Sequence, residues 1–158
     1  MEIRKELESL HHAAFLMNNE FIEQIANIIN NYIWIFGINR TEIPFYTSDN
    51  PIVKNGHADK SFYGNAGLAS KGVEIAYPIN SKLILLIREK SYFSNFKDNN
   101  LKFYELNNKE NIKYFNSLQV FGSNRQIFCR SDNFKLVREI LNEYPEYRKE
   151  DRKRFDVN

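Results

Sequence analysis

The chain has 158 residues and a formal net charge of +2 at pH 7. This length is sufficient for one domain with a sizeable core, and 15% aromatic residues are not typical of a disordered protein. A net charge so close to zero gives no overall field that would attract a polyanion. We predict a single domain over residues 1–145 and a charged tail over residues 146–158.

The ends and the cysteine content predict a cytoplasmic protein that does not contact a membrane. The first ten residues include acidic side chains and no long apolar run, which is not typical of a signal peptide or a membrane span. The single cysteine, Cys129, cannot form a disulfide within the chain, as is common in reducing compartments. Its flanking residues favour a small buried side chain over a nucleophile.

The first predicted element is a long amphipathic helix over roughly residues 2–30, because apolar residues recur at steps of three and four. Asn30-Asn31 can end it. Such a stripe usually faces a core, but its heptad-like spacing leaves open a contact with a protein partner or a second copy of the chain. The stripe consists of Ile3, Leu7, Leu10, Ala14, Met17, Phe21, Ile25 and Ile28.

The next segments predict a sheet. Residues 32–38 are apolar on both faces, which is typical of a central strand, and residues 43–47 are predicted to pair with them as a hairpin. Residues 54–72 contain four of the six glycines and are predicted to form a long loop. Further strands are predicted over residues 73–79 and 83–88, with a short edge strand over residues 101–106.

Two helices and a short strand complete the prediction. Asn108 is expected to cap a helix that Gly122 ends. The other boundaries are a strand over residues 126–130 and a helix over residues 134–143, capped by Asp132 or Asn133 and stopped by Pro145. The fold class is therefore α+β: a mixed or antiparallel sheet with a long N-terminal helix and two C-terminal helices.

The segment Phe45-Tyr46-Thr47-Ser48-Asp49-Asn50-Pro51 is the strongest candidate for a site, because an aromatic strand runs into small polar residues and stops at a proline. Pro51 removes a backbone donor and favours an extended Asn50. The Asp49 carboxylate either accepts local backbone N–H groups, as in an Asx turn, or faces a pocket and orients a ligand or a cation.

Arg125 is the expected companion of Asp49, because its planar guanidinium suits a carboxylate or a phosphate. The two side chains form either a structural pair or a shared site for a small anionic ligand. Ordinary core packing is the alternative role of the aromatic candidates. The predicted ligand-binding residues are Ser48, Asp49, Asn50, Arg125, Asn116, Tyr77 and Trp34.

No metal or cofactor site is predicted. His57 and Asp59 form an isolated His-x-Asp in a loop, and the adjacent His11 and His12 point to different faces of a helix. Glu74 is not followed two residues later by the lysine that a Glu-x-Lys nuclease would need. The sequence has no Walker loop, dinucleotide fingerprint or Gly-x-Ser-x-Gly elbow.

Three segments carry a family resemblance. They are Thr47-Ser48-Asp49-Asn50-Pro51-Ile52, with Trp34 on the preceding strand; Ile75-Ala76-Tyr77-Pro78-Ile79-Asn80, before the apolar run at Leu83; and Asn116, followed by Ser123-Asn124-Arg125-Gln126-Ile127-Phe128. Over about residues 7–135, their order and spacing resemble the C-terminal half of the bacterial family called domain of unknown function 4238. The His-Tyr-Val-Pro type motif expected near the start of longer members is not in this sequence. The resemblance implies a fold and a site but no reaction.

Three functions remain open. The first is a small binding or regulatory domain with an anion-binding corner, in phage or mobile-element biology according to the resemblance and the apparent genome bias. The second is a small hydrolase or nucleotide-processing enzyme that uses Asp49, Arg125 and His57. The third is a nucleic-acid binder that uses the basic tail and loop aromatics, against which the near-neutral charge counts.

Overall fold

The computed structural model describes residues 18–58 and 67–148. The chain divides into two compact units, Met1–Tyr32 and Ile33–Asn158. Among the described residues, no helix is long and apolar enough to cross a membrane.

The described helix of the first unit, α1, spans Asn19–Asn30. The Asn18 side chain caps it by accepting the backbone N–H groups of Glu20 and Phe21. Because the backbone of Asn18 is extended, α1 begins at Asn19, and the predicted helix over residues 2–30 is not continuous through Asn18. The first part of that predicted helix lies outside the described residues.

A five-stranded mixed sheet forms the framework of the second unit, and it confirms the α+β fold class. The strands are β1 (Ile33–Asn39), β2 (Thr47–Ser48), β3 (Val53–Gly56), β4 (Val73–Asn80), β5 (Leu83–Arg88), β6 (Lys102–Leu106) and β7 (Ile127–Phe128). The sheet order is β3-β4-β5-β1-β6. β1 is central, as predicted, and lies antiparallel to β5 and parallel to the edge strand β6.

The predicted hairpin between residues 32–38 and 43–47 is wrong. β2 instead pairs with β7 in a separate two-stranded sheet. Pro44 has no N–H group, its carbonyl accepts the Asn116 amide, and the Tyr46 N–H donates to the Asn116 side-chain oxygen. A helix side chain therefore satisfies the backbone groups that a hairpin would have paired.

Two α-helices follow the sheet strands, α2 (Lys109–Gly122) and α3 (Lys135–Glu143). The predicted cap of α2 is confirmed, since Asn108 accepts the Glu110 N–H at 2.9 Å. The predicted side-chain cap of α3 is wrong: Phe134 occupies the capping position and no side chain bonds there. The Asn133 carbonyl accepts a hydrogen bond from the Tyr46 hydroxyl, so a tertiary contact fixes the chain just before α3.

The main core lies between α2 and one face of the five-stranded sheet. Burying each of its Val, Leu, Ile or Phe side chains stabilises the fold by about 1.5–3 kcal/mol. The cluster includes Ile33, Ile35, Ala76, Ile84 and Leu86 from the sheet and Ile112, Phe115 and Leu118 from α2. Because side chains alternate along a strand, Trp34 on β1 and Tyr77 on β4 lie on the opposite face.

The beginning of the predicted tail is structured. Residues Pro145–Arg148 form a 3₁₀ helix, the Tyr147 ring lies 4.9 Å from the Phe121 ring, and Arg148 donates to the Leu141 carbonyl at 3.1 Å. Residues 149–158 lie outside the described part of the chain.

Candidate functional site

The Asp49 carboxylate binds the loop that follows α2. Its two oxygens accept the backbone N–H groups of Asn124 at 2.7 Å and Arg125 at 2.8 Å. The Asp49 N–H in turn donates to the Gln126 carbonyl at 3.1 Å. The carboxylate therefore accepts backbone N–H groups, as one interpretation of the sequence expects, but the donors are distant in sequence.

These contacts keep Asp49 ionised. Desolvation raises the pKa of Asp49, but the backbone hydrogen bonds of residues 124–126 and the nearby Arg125 charge outweigh it and lower that pKa below its usual value. An ionised acceptor with two backbone donors is a stable cross-link between β2 and the loop after α2.

The flanking residues Ser48 and Asn50 extend this cross-link to α2. Ser48 donates to the side-chain oxygen of the fully buried Gln119 at 2.9 Å, and Gln119 donates to the Pro51 carbonyl at 2.9 Å. Asn50 donates to the Gly122 carbonyl at 3.0 Å. The Ser-Asp-Asn-Pro segment thus connects one strand to the C-terminal half of one helix.

The structure brings five of the seven predicted site residues to this corner and places two elsewhere. Asn116 is fully buried, and its two hydrogen bonds to the backbone of residues 44 and 46 fix the segment that leads into β2. Trp34 and Tyr77 belong to the sheet face that points away from α2. The five at the corner are Ser48, Asp49, Asn50, Asn116 and Arg125.

Arg125 presents its guanidinium on a fixed backbone. Its N–H is held by Asp49, while the residue itself is exposed. Within residues 18–58 and 67–148, the guanidinium makes no ion pair or hydrogen bond that meets ordinary distance limits. Its charge is nevertheless close enough to Asp49 to lower the pKa of that carboxyl.

A second polar cluster, which we call the Glu74 cluster, consists of Asn55, His57, Glu74, Arg88 and Tyr114. Glu74 is 1% exposed and accepts three side-chain hydrogen bonds: from Arg88 Nε at 2.6 Å, His57 Nε2 at 2.9 Å and the Tyr114 hydroxyl at 3.0 Å. Asn55 donates to the Tyr114 oxygen at 3.0 Å. Each carboxylate oxygen of this buried glutamate is therefore satisfied.

The Glu74 cluster keeps its carboxylate charged inside the protein. Burial raises the pKa of Glu74, but the His57 hydrogen bond and the Arg88 charge outweigh that effect, and the net pKa is lowered. The Arg88 guanidinium lies over the rings of Phe96, at 4.5 Å, and Phe93, at 5.1 Å. An ionised glutamate in such a position is typical of a site with a defined role, although structural ion pairs share this property.

Sequence reasoning missed the Glu74 cluster, because its strand register depends on a local irregularity. Counting back from the β4–β5 turn would place Glu74 opposite Glu89, but a register shift between Pro78 and Asn80 places it opposite Arg88. The participation of His57 and Tyr114 depends on how β3 and α2 pack, and no local pattern predicts it.

A groove of about 310 Å³ lies beside the corner, between the β2–β7 pair and the β4–β5 turn. Apolar side chains form most of it, with one cationic residue, Arg130, at its border. None of the seven predicted site residues lines it. Its lining includes Tyr46, Ile79, Phe128, Cys129 and Arg130.

No group of three or more potential metal ligands occurs among the residues that the structure describes.

Comparison with known proteins identifies the family. The sequence model described as "Protein of unknown function (DUF4238)" matches residues 1–133, which is most of the chain. No curated protein and no solved structure matches the chain. The matched range includes all three segments that carry the resemblance noted from the sequence, and the chain therefore belongs to the DUF4238 family.

Proposed function

We propose that the chain is a small binding or regulatory domain that holds an anionic ligand at Arg125. The observation that carries this proposal is the combination of an exposed guanidinium and a backbone fixed by Asp49 at 2.8 Å. A binding side chain loses less entropy on binding when its backbone is already ordered. The proposed setting, phage or mobile-element biology, is supported by the family resemblance and the composition alone.

The ligand that suits this corner is small and has a planar or tetrahedral anionic group. The guanidinium can offer two parallel N–H donors to a carboxylate or phosphate. The Asp49 charge opposes a second anion, but its oxygens point at backbone N–H groups, which offset part of that charge. A singly charged group is therefore favoured over a polyanion.

Asp49 is a poor candidate for the acid–base group of a hydrolase. Both carboxylate oxygens already accept backbone hydrogen bonds, and the lowered pKa makes the side chain a weak base. A hydrolase based on Asp49 and Arg125 would have to break these hydrogen bonds before the Asp49 carboxylate could act on a substrate. Binding is thus the role that this geometry supports better.

Thermal unfolding in the presence of acetate, phosphate, nucleotides and divalent metals, at constant ionic strength, tests the proposal. An anion that binds the native state at 100 times its Kd stabilises it by about 2.7 kcal/mol, which raises Tm by several degrees. We expect Arg125→Ala to abolish this shift and the matched variant Arg130→Ala to retain it. Equal shifts in both variants, or no shift with any anion, would refute the Arg125 site.

We further propose that the apolar stripe of residues 2–30 contacts a second copy of the chain. This proposal is supported by the apolar stripe of the sequence and by α1, in which no residue is fully buried. Sedimentation should give the mass of a dimer. Ile25→Glu, on the stripe, should convert it to a monomer, whereas Ile22→Glu, a matched change off the stripe, should not. A monomeric wild-type chain would rule this contact out.

A further inference from the structure

One nitrogen of His57 is occupied by the Glu74 cluster. His57 Nε2 lies 2.9 Å from Glu74 Oε2 and 3.1 Å from the Tyr114 hydroxyl, which itself donates to Glu74 at 3.0 Å. The ionised Glu74 carboxylate can only accept, so Nε2 carries a proton and donates it. In the neutral imidazole, Nδ1 then holds the lone pair.

The other nitrogen, Nδ1, has no hydrogen-bond partner among the described residues. The His57 side chain is 28% exposed. The Phe93 ring packs edge-on against the imidazole at 5.2 Å, and the Tyr92 ring lies at 6.1 Å. The imidazole is thus held in one orientation and one tautomer with a basic nitrogen left over.

We propose that His57 is a general base for the hydrolysis of a neutral carboxylic ester. In this reaction Nδ1 accepts a proton from water while the water oxygen attacks the ester carbonyl carbon. The tetrahedral adduct then collapses, the bond from carbon to the alcohol oxygen breaks, and Nδ1–H returns its proton to the departing alkoxide. One ester and one water are consumed, and one carboxylic acid and one alcohol are formed.

Glu74 is a positioning residue in this scheme. It fixes the tautomer of His57 and stabilises the imidazolium that forms when Nδ1 takes the proton. The Tyr114 hydroxyl, held by Asn55, completes the hydrogen bonding of the same carboxylate oxygen. None of these side chains belongs to the corner around Asp49, so the inference stands independently of the proposed anion site.

The charges around His57 indicate an uncharged substrate. The nearby cation, Arg88, is already paired with Glu74 and lies over two Phe rings. Within residues 18–58 and 67–148, the rings of Tyr92, Phe93 and Tyr114 also face the imidazole. With no uncommitted cation in this set and with aromatic walls, an ester with an aromatic portion fits better than a phosphate ester.

Hydrolysis of p-nitrophenyl acetate by the full chain, with p-nitrophenyl phosphate as the comparison, tests this inference. The chain has three histidines, so the double variant His11→Gln/His12→Gln measures background imidazole reactivity. Positioned general bases contribute rate factors of about 10²–10⁴. We therefore expect His57→Gln to lose at least about tenfold of the protein-dependent acetate rate, and the double variant to lose less than about twofold.

Two further measurements keep the test decisive if a variant folds poorly. In the wild-type chain, inactivation by diethyl pyrocarbonate should follow modification of His57 in peptide maps and not that of His11 or His12. In NMR spectra, the His57 Nε2–H resonance should lie downfield of the amides and move upfield in Glu74→Gln. An unchanged rate in His57→Gln, faster cleavage of the phosphate ester, or inactivation that follows another histidine would overturn the proposal.

Discussion

Asp49 and Glu89 both order a loop by accepting backbone N–H groups. Asp49 receives those of residues 124 and 125. Glu89 receives those of Gly72, Ser91 and Tyr92, together with the Ser91 hydroxyl. At these two turns, an ionised carboxylate therefore accepts the backbone N–H groups that a strand or helix would otherwise pair.

Replacing Asp49 should weaken the fold. Asp49→Ala leaves the Asn124 and Arg125 N–H groups without their acceptor, and we expect the free energy of unfolding to fall by about 1–2 kcal/mol. Urea denaturation measures this change. Asp132→Ala is the control, because the Asp132 carboxylate makes no hydrogen bond to a described residue; an equal loss in both variants would contradict the cross-link.

Glu89 should make stability depend on acid pH. Desolvation raises its pKa, but hydrogen bonds from Ser91, Gly72 and Tyr92 lower it to about 2. Because the folded pKa lies below the unfolded value of about 4.3, the stabilisation is complete above about pH 5 and is lost as the pH falls toward 2.

We expect Glu89→Gln to reduce the loss of unfolding free energy between about pH 5 and 2 by about 1–2 kcal/mol, after allowance for solvent screening. Urea denaturation at a series of pH values measures this slope. Glu143→Gln, a change in an exposed helix position, should leave the slope as in the wild type. A wild-type slope in Glu89→Gln would show that other carboxylates account for acid unfolding.

At the scale of elements, α2 is the part on which both polar sites depend. Tyr114 contributes to the Glu74 cluster, Gln119 binds Ser48 and Pro51 of the Ser-Asp-Asn-Pro segment, and Asn116 binds the backbone of residues 44 and 46. Gly122, at the end of the helix, allows close approach of β3, since a Cβ there would lie 2.6 Å from Val53 Cγ1. The packing of α2 and the positions of the strands that it contacts therefore depend on the same side chains.

Breaking the buried pair between β4 and β5 should be costly. Glu74→Ala leaves the buried Arg88 charge without its partner, and we expect a loss of about 3–5 kcal/mol in unfolding free energy. Glu105→Ala, which removes the exposed Arg40–Glu105 pair, should cost at most about 1 kcal/mol. Chemical denaturation should also show Glu74→Ala/Arg88→Ala to be less destabilised than the sum of its single variants; simple additivity would contradict a direct pair.

Filling the space at Gly122 should strain the contact between α2 and β3. Overpacking by one methyl group costs about 1–3 kcal/mol, which exceeds the gain of about 1 kcal/mol in helix propensity from Gly to Ala. We expect a lower Tm for Gly122→Ala and recovery on adding Val53→Ala, which removes the contacted methyl groups.

The control for this substitution is Gly67→Ala, where the new Cβ would meet, among the described residues, only the Ser70 hydroxyl, at 3.3 Å. Its Tm should stay near that of the wild type. Failure of Val53→Ala to relieve Gly122→Ala would show that the clash is not the cause.

At the scale of the whole molecule, the two polar sites are separate. Tyr114 and Gly122 are eight positions apart on α2, which is about 12 Å along the helix axis. Asn50 of the corner binds the later position and Glu74 binds the earlier one, while Asn116 of the corner lies between them on the helix. One helix therefore supports two sites that share no side chain.

This separation predicts additive energetics. The unfolding free energies of Asp49→Ala and Glu74→Gln should sum in the double variant to within about 0.5 kcal/mol, because the sites are more than about 7–10 Å apart. Urea denaturation of the four proteins in the cycle measures the coupling. A coupling well above this limit would show that α2 transmits strain between the sites.

Elements with local signals could be predicted from the sequence. The β4–β5 hairpin, the edge strand β6 and the Asn108 cap of α2 follow from apolar runs, turn residues and a capping side chain. The sequence also indicated Ser48-Asp49-Asn50-Pro51 as a candidate site, because small polar residues follow an aromatic strand there.

Which distant groups meet depends on the packing of the whole chain. β2 pairs with β7 because Asn116 occupies the backbone groups of residues 44 and 46, and Trp34 and Tyr77 leave the predicted site because strand alternation turns them to the other face. The Glu74 cluster assembles from three strands, a loop and a helix. Buried polar groups must find partners wherever packing brings them, and packing is a property of the whole chain.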